Sequence, residues 1–124
     1  MHEVSVMTSI LESVKAELVK HSYDKVEELV LVVGELTYLG KDQLEFAYEI
    51  LTRGSDLEGS KLVIEEEKVE VECPKCFYRG AADYLIDGTY HNAVPKLNCP
   101  KCGGPVNVLK GKSCRISSVK VVES

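Results

Sequence analysis

Residues 65–76, Glu65-Glu66-Glu67-Lys68-Val69-Glu70-Val71-Glu72-Cys73-Pro74-Lys75-Cys76, divide the chain. Just upstream, Leu62 and Ile64 share one strand face, whereas Val69 and Val71 share the other. Strand side chains alternate faces with a period of two, so a one-residue slip across residues 65–68 marks a bulge or a change of layer. The first cysteine follows directly. The slip therefore sets a boundary between an α/β lobe, residues 1–67 with 113–124, and a cysteine module, residues 68–112.

Upstream, Met7, Ile10, Leu11, Val14 and Leu18 recur at helical spacing after Ser5, a candidate N-cap, and predict a first amphipathic helix. The aliphatic run at residues 29–33, closed by Gly34, predicts a central strand buried on both faces. Asp42 and Glu45 have capping-box spacing, and Leu44, Ala47, Tyr48 and Leu51 then predict a second helix that ends before Gly54. In the tail a second slip separates Cys114 and Ile116 from Val119 and Val121, which fits a strand returning to the first lobe. The expected class is α+β: a small mixed β-sheet with two helices, plus a zinc-ribbon-like β module.

Bulk properties narrow the function. A chain of 124 residues supports at most two compact lobes. Its net charge of -5 repels nucleic acid and anionic membrane at long range, so neither is an expected partner. The start has no basic segment followed by an apolar stretch, and no apolar run approaches membrane-spanning length, so a cytoplasmic protein is expected. Thiols stay reduced there, and five cysteines in so short a chain then read as metal ligands before disulfides.

Cys73/Cys76 and Cys99/Cys102 are two C-x-x-C knuckles separated by the 22 residues 77–98. A tetrahedral four-sulfur site needs two thiolate pairs converging from two turns, which is what this spacing supplies. Zinc fits best, although iron in a rubredoxin-like site is chemically possible. With all four positions filled by protein sulfur, no coordination site is left for catalysis, and the metal acts as a staple whose removal unfolds the module. Cys114 reads as a packed, inert thiol on a half-buried strand.

The amino terminus offers a second ligand set. The α-amine of Met1, the His2 amide and the His2 imidazole can close fused chelate rings around one ion, a planar nitrogen set that favours Ni(II) or Cu(II) over zinc. The fourth donor stays open between the Glu3 amide, a carboxylate, water or another histidine. His91, in Tyr90-His91-Asn92 between the knuckles, reads by position as a loop histidine, and His21 as a favourable charge at a helix C-terminus.

Taken together these residues resemble the hydrogenase nickel-incorporation family known as HypA or HybF. The resemblance covers nearly the whole chain: Met1-His2-Glu3 followed by Ser5, Val33-Gly34-Glu35-Leu36-Thr37 leading to Phe46-Ala47-Tyr48-Glu49, the two cysteine pairs, and a short terminal strand. It implies a nickel metallochaperone, not an enzyme, with Ni(II) as cargo at Met1 and His2, Glu3 adjacent, His91 as a further candidate, and structural zinc on Cys73, Cys76, Cys99 and Cys102. It also implies partners: a GTP-hydrolysing nickel accessory protein of the HypB type and the large-subunit precursor of a [NiFe] hydrogenase, with urease as another recipient. A monomer is expected, with a segment-swapped dimer as the alternative. The chain departs from the family's pattern at Phe77, where glycine commonly follows the second cysteine, which leaves the local turn geometry open.

Two rival classes remain. A zinc-ribbon adaptor for protein or nucleic acid calls, in its nucleic-acid form, for a basic patch at the knuckles, which the chain's acidic balance argues against. A zinc hydrolase or redox enzyme calls for an open metal site or a nucleophile and base, and neither pattern is visible.

Overall fold

The stripe at Met7, Ile10, Leu11, Val14 and Leu18 builds α1 (His2–Leu18), and all five side chains are buried. The structure is a computed structural model and describes residues 2–86 and 93–123, without the side chains of residues 2, 85, 86, 93 and 94. The helix starts at His2, ahead of the predicted N-cap, so Ser5 lies exposed inside it. Glu3 occupies the first turn, where a carboxylate complements the helix's positive end.

After α1 come β1 (Lys25–Gly34), a 3-10 turn (Glu35–Thr37) and α2 (Lys41–Thr52). The predicted capping box does not form at α2. The helix begins at Lys41, with Gly40 as an N-cap that makes no side-chain cap bond, and the Gly40 N–H is instead taken by Glu3 Oε2 at 3.1 Å. Leu44, Ala47 and Tyr48 are buried as their spacing requires.

β1 is the middle strand of three, in the order β2-β1-β8, with β2 at Lys61–Glu67 and β8 at Cys114–Val122. Along β1, Leu29, Leu31 and Val33 are buried while Val30 and Val32 are only half-buried, so one face is fully covered and the other partly, not both equally. β8 pairs with β1 antiparallel. Its register jumps from Ser118 opposite Val30 to Ile116 opposite Leu31, and the skipped Ser117 is the bulge that the tail's broken alternation predicts. The side chains on either side of it, Cys114, Ile116, Val119 and Val121, thereby all pack against the same core.

The described residues fall into two compact units. The first takes them from 1–33, 39–65 and 114–124, the second from 34–38 and 66–113. Met7, Leu29, Leu31, Leu44 and Leu57 are the largest wholly buried side chains of the first. Burying each contributes about 1.5–3 kcal/mol, so this unit is held by apolar burial.

Among the described side chains, the second unit buries a smaller apolar cluster than the first. β3 (Glu70–Glu72) lies between β4 (Arg79–Ala81) and β7 (Asn107–Lys110), antiparallel to both, and β5 (Tyr84–Ile86) pairs with β6 (Ala93–Pro95). The slip at residues 65–68 is thus a change of sheet: Leu62 and Ile64 pack in the first unit, Val69 and Val71 in the second. The second core is Val69, Val71 and Ala82, flanked by Leu36, Tyr78, Val106 and Val108. The segment 34–38 is fastened by Gly34 N–H to Ser113 O at 2.9 Å and Leu36 N–H to Gly111 O at 2.8 Å.

That contact requires glycine on both sides. A Cβ on Gly34 would stand 2.3 Å from the Gly111 carbonyl oxygen, and Gly111 itself adopts φ +92° against the Val69 backbone. Backbone cannot swing aside as a side chain can. Gly34→Ala is therefore expected to destabilise the second unit by about 1–3 kcal/mol, read as faster amide exchange in β3 and β7; unchanged exchange would show that the close approach is not required.

Candidate metal centre

The two knuckles fold the same way. In the first, Cys73 N–H donates to Tyr78 O at 2.8 Å and Phe77 N–H to Cys73 O at 3.0 Å. In the second, Cys99 N–H donates to Gly104 O at 2.8 Å and Gly103 N–H to Cys99 O at 2.9 Å. Phe77 and Gly103 hold equivalent places and both are left-handed, at φ 64° and 74°. The departure noted at Phe77 thus leaves the turn intact, and a residue with a Cβ bears a conformation that costs about 1–2 kcal/mol.

These turns bring the four sulfurs together, all within 4.8 Å of one another. Cys73 and Cys102 approach to 3.5 Å, Cys76 and Cys99 to 3.4 Å. A zinc ion with bonds of about 2.3 Å sets tetrahedral sulfur separations near ~3.8 Å, so the arrangement fits. Backbone amides are already aimed at the sulfurs: Cys76 N–H at Cys73 Sγ (3.5 Å), and Lys101 and Cys102 N–H at Cys99 Sγ (both 3.4 Å).

The thiol acidities follow these contacts. At Cys73 the Cys76 amide is the main cause of a lowered pKa. At Cys99 burial pushes upward, but the Cys102 and Lys101 amides outweigh it and bring the thiol down to about 6. Cys76 goes the other way: the Tyr78 amide draws it down, but the neighbouring Cys99 sulfur and burial outweigh it and push the thiol up to about 12. Thiolate is the form a metal ligand needs, so one sulfur of each knuckle, Cys73 and Cys99, is drawn toward it before metal arrives, and acid must release the metal. Four protein sulfurs fill a tetrahedral zinc, whose role is then to hold two turns over a small core.

Other predicted residues fare differently. His2 opens α1, but its side chain, Met1 and His91 lie outside the described residues. Glu3 is partly buried and committed through one carboxylate oxygen to Gly40 N–H. Cys114 sits half-buried on β8 opposite Val33, its thiol pushed up by burial. His21 is exposed, 3.7 Å from Glu17. Lys75 and Lys101 stand exposed beside the sulfurs, a local basic feature hidden by the chain's net acidity.

Glu35 is a residue whose role the composition does not reveal. Its side chain is 9% exposed, and Oε1 accepts from both Val69 N–H and the Tyr84 hydroxyl at 2.7 Å, with Lys68 Nζ 3.7 Å from Oε2. Burial, and then the Glu35 carboxylate, push the Tyr84 phenol up to about 12. The sequence clue was an acid placed directly after the glycine that ends an apolar strand.

A model of the family described as hydrogenase/urease nickel incorporation, metallochaperone, hypA matches residues 1–121. The chain is 34% identical over 122 residues to the hydrogenase maturation factor HypA of Methanothermobacter thermautotrophicus, covering 98% of this chain and 97% of that one. It is 36% identical over 132 residues to the HypA of Methanopyrus kandleri, covering 98% and 93%. Among solved structures it resembles the nickel metallochaperone HypA from Helicobacter pylori in solution (TM-score 0.65, 25% identity, 98% of both chains). It also resembles a second HypA solution structure (TM-score 0.70, 27% identity, 98% and 97%).

Two measurements check the centre. Phe77→Gly is expected to stabilise the zinc-loaded second unit by about 1 kcal/mol through relief of the left-handed conformation, while Phe77→Ala, which keeps a Cβ, gains nothing on this account; equal denaturation midpoints for the Gly and Ala variants would remove the strain. Because Tyr84 ionises at a higher pH folded than unfolded, its contribution is complete below about 10 and is lost as pH rises toward 12. Tyr84→Phe should therefore flatten part of the alkaline loss of stability, and superimposable alkaline profiles would exclude the effect.

Proposed function

Because the chain belongs to the HypA family of hydrogenase/urease nickel-incorporation metallochaperones, we propose that it is a nickel carrier of hydrogenase maturation that loads Ni(II) on its own amino terminus. The observation that carries this reading is a family match that includes the Met1-His2-Glu3 start as well as both cysteine pairs. Nickel is cargo and zinc a resident staple.

The donors are the Met1 α-amine, the His2 amide nitrogen and the His2 imidazole. The first four N–H groups of an α-helix have no acceptor within the helix, so the His2 amide at the head of α1 can be surrendered to a metal without breaking the helix. The same end carries the positive pole of the helix dipole, which opposes a cation and keeps the site weak. Weakness suits a carrier, whose ion must leave for better ligands. Glu3, acidic in that first turn, offsets part of the field and anchors the helix start to Gly40, and its amide is the nearest fourth donor. His91 is the alternative fourth donor.

The α-amine and imidazole have reference pKa values of about 7.7–8.0 and 6.5, and both bind metal only when deprotonated, so nickel affinity falls as pH drops through this range. Coordination by the His2 amide nitrogen releases its N–H proton to solvent and departure of nickel takes one back, so transfer exchanges only coordination bonds and protons, and no catalytic step is assigned. The partners that complete it are a GTP-hydrolysing accessory protein of the HypB type and a [NiFe] hydrogenase large-subunit precursor, met in the cytoplasm. The α/β unit serves as the nickel lobe and the four-cysteine unit as the zinc lobe. Among the described residues, no helix is long and apolar enough to cross a membrane.

Calorimetry on zinc-loaded protein at neutral pH tests the site. One nickel should bind the chain with its native start, and binding should vanish both in His2→Ala and in a version with extra residues before Met1, with zinc retained. Equal binding by all three would move the cargo elsewhere and leave a zinc-ribbon adaptor as the better account.

A further inference from the structure

Phe77 is neither buried nor relaxed. Its side chain is 83% exposed, so it gains nothing from the hydrophobic effect, and its backbone is left-handed at φ 64°. The other knuckle of the same chain solves the same turn with Gly103, at no steric cost. The fold thus gives no reason for an aromatic ring at this place, and a strained residue without a compensating contact points outward, to something beyond the chain.

The surroundings say what that is. Lys75 and Lys101 take the same place in their two Cys-Pro-Lys-Cys turns, and both are exposed. Lys101 Nζ lies 5.7 Å from the Tyr78 ring centroid, and Lys75 Cδ would touch a Cβ on Gly104 at 3.6 Å, so both cations belong to the turns that hold the sulfurs. Arg79 and Lys110 are engaged by Glu70 at 3.2 and 3.5 Å, whereas Lys75 and Lys101 have no carboxylate partner among the described residues. Residues 73–82 and 95–113 contain no Asp or Glu at all. An exposed aromatic ring in the same pair of turns as two exposed cations, which have no carboxylate partner among the described residues, matches an acidic segment that also carries an apolar side chain.

We propose that the knuckle tip, with Phe77 as anchor and Lys75 and Lys101 of the same two turns as its cations, is the docking surface for an acidic, apolar-anchored segment of a protein partner. Nucleic acid fits less well, because Glu66, Glu67, Glu70 and Glu72 lie in the same unit and the whole chain carries -5, which opposes a phosphate backbone. The inference does not rest on the nickel site and stands or falls separately.

The test uses the zinc-loaded full chain and three labelled probes: a 12-residue peptide of Glu and Leu, its Lys and Leu counterpart, and a 12-nucleotide oligo-dT. The acidic peptide should bind, and Phe77→Gly should weaken it at least tenfold while raising the denaturation midpoint. A residue kept only for the fold cannot produce opposite signs. Phe77→Leu should retain most of the affinity, and the double variant Lys75→Gln/Lys101→Gln should lose several-fold and much of its salt dependence. No binding of the acidic peptide, equal binding to Phe77→Gly, or tighter binding of the basic peptide or oligo-dT would each overturn the proposal. So would a lysine variant that loses zinc affinity and leaves peptide binding unchanged, because the cations would then only offset thiolate charge.

Discussion

Convergence of four sulfurs from two turns is what the second unit depends on. Its named strands run three or four residues, and among the described side chains its buried apolar cluster is Val69, Val71 and Ala82. Such a core offers little against the conformational entropy of ordering its residues, about 1–2 kcal/mol per residue for the backbone alone. A zinc tetrathiolate changes that balance, since structural zinc binds finger peptides with roughly 10–16 kcal/mol. The amides aimed at Cys73 and Cys99 show the protein meeting the metal halfway, with the backbone of each turn already shaped around its sulfurs. Two other fastenings assist: the glycine contact at Gly34 and Gly111, and the Glu35 carboxylate that accepts from Val69 and Tyr84.

The first unit is built by different physics and serves a different purpose. A conventional aliphatic core, centred on Leu29, Leu31 and Leu44 beneath α1, keeps the start of that helix in place. Glu3 and Gly40 tie the head of α1 to the head of α2. A carrier needs a terminus held steadily enough to chelate yet bound weakly enough to let go. Under the proposed function, the start of α1 would give both, through amides with no helical acceptor and a dipole that disfavours the cation. On the proposed reading, a tight thiolate site and a weak nitrogen site divide the labour by ligand chemistry, soft sulfur for the permanent metal and exchangeable nitrogen for cargo.

Much of this was legible in the sequence. The helical stripes of α1 and α2, the aliphatic run of β1, the two C-x-x-C pairs and both breaks of strand alternation are local periodicities, and local periodicity is what a chain must obey to bury one face. The knuckle spacing likewise pointed to the metal chemistry, because two converging thiolate pairs are what a tetrahedral four-sulfur site needs. Two capping expectations failed, one of them where a partner distant in sequence intervenes. Asp42 was expected to cap α2, but a carboxylate from residue 3 takes the Gly40 amide; Ser5 was expected to start α1, but the helix begins at His2.

The sequence by itself determined the elements and the four cysteines that the fold gathers, since each is written in residues a few positions apart. Tertiary structure alone decided that residues 34–38 belong with the zinc-bearing unit, that Glu35 is a buried acceptor for groups 34 and 49 residues away, and that Phe77 is exposed in a left-handed turn. The physical reason is that a hydrogen bond, a close backbone approach or an exposed ring is a property of what the folded chain brings near a residue, and no spacing along the chain encodes it.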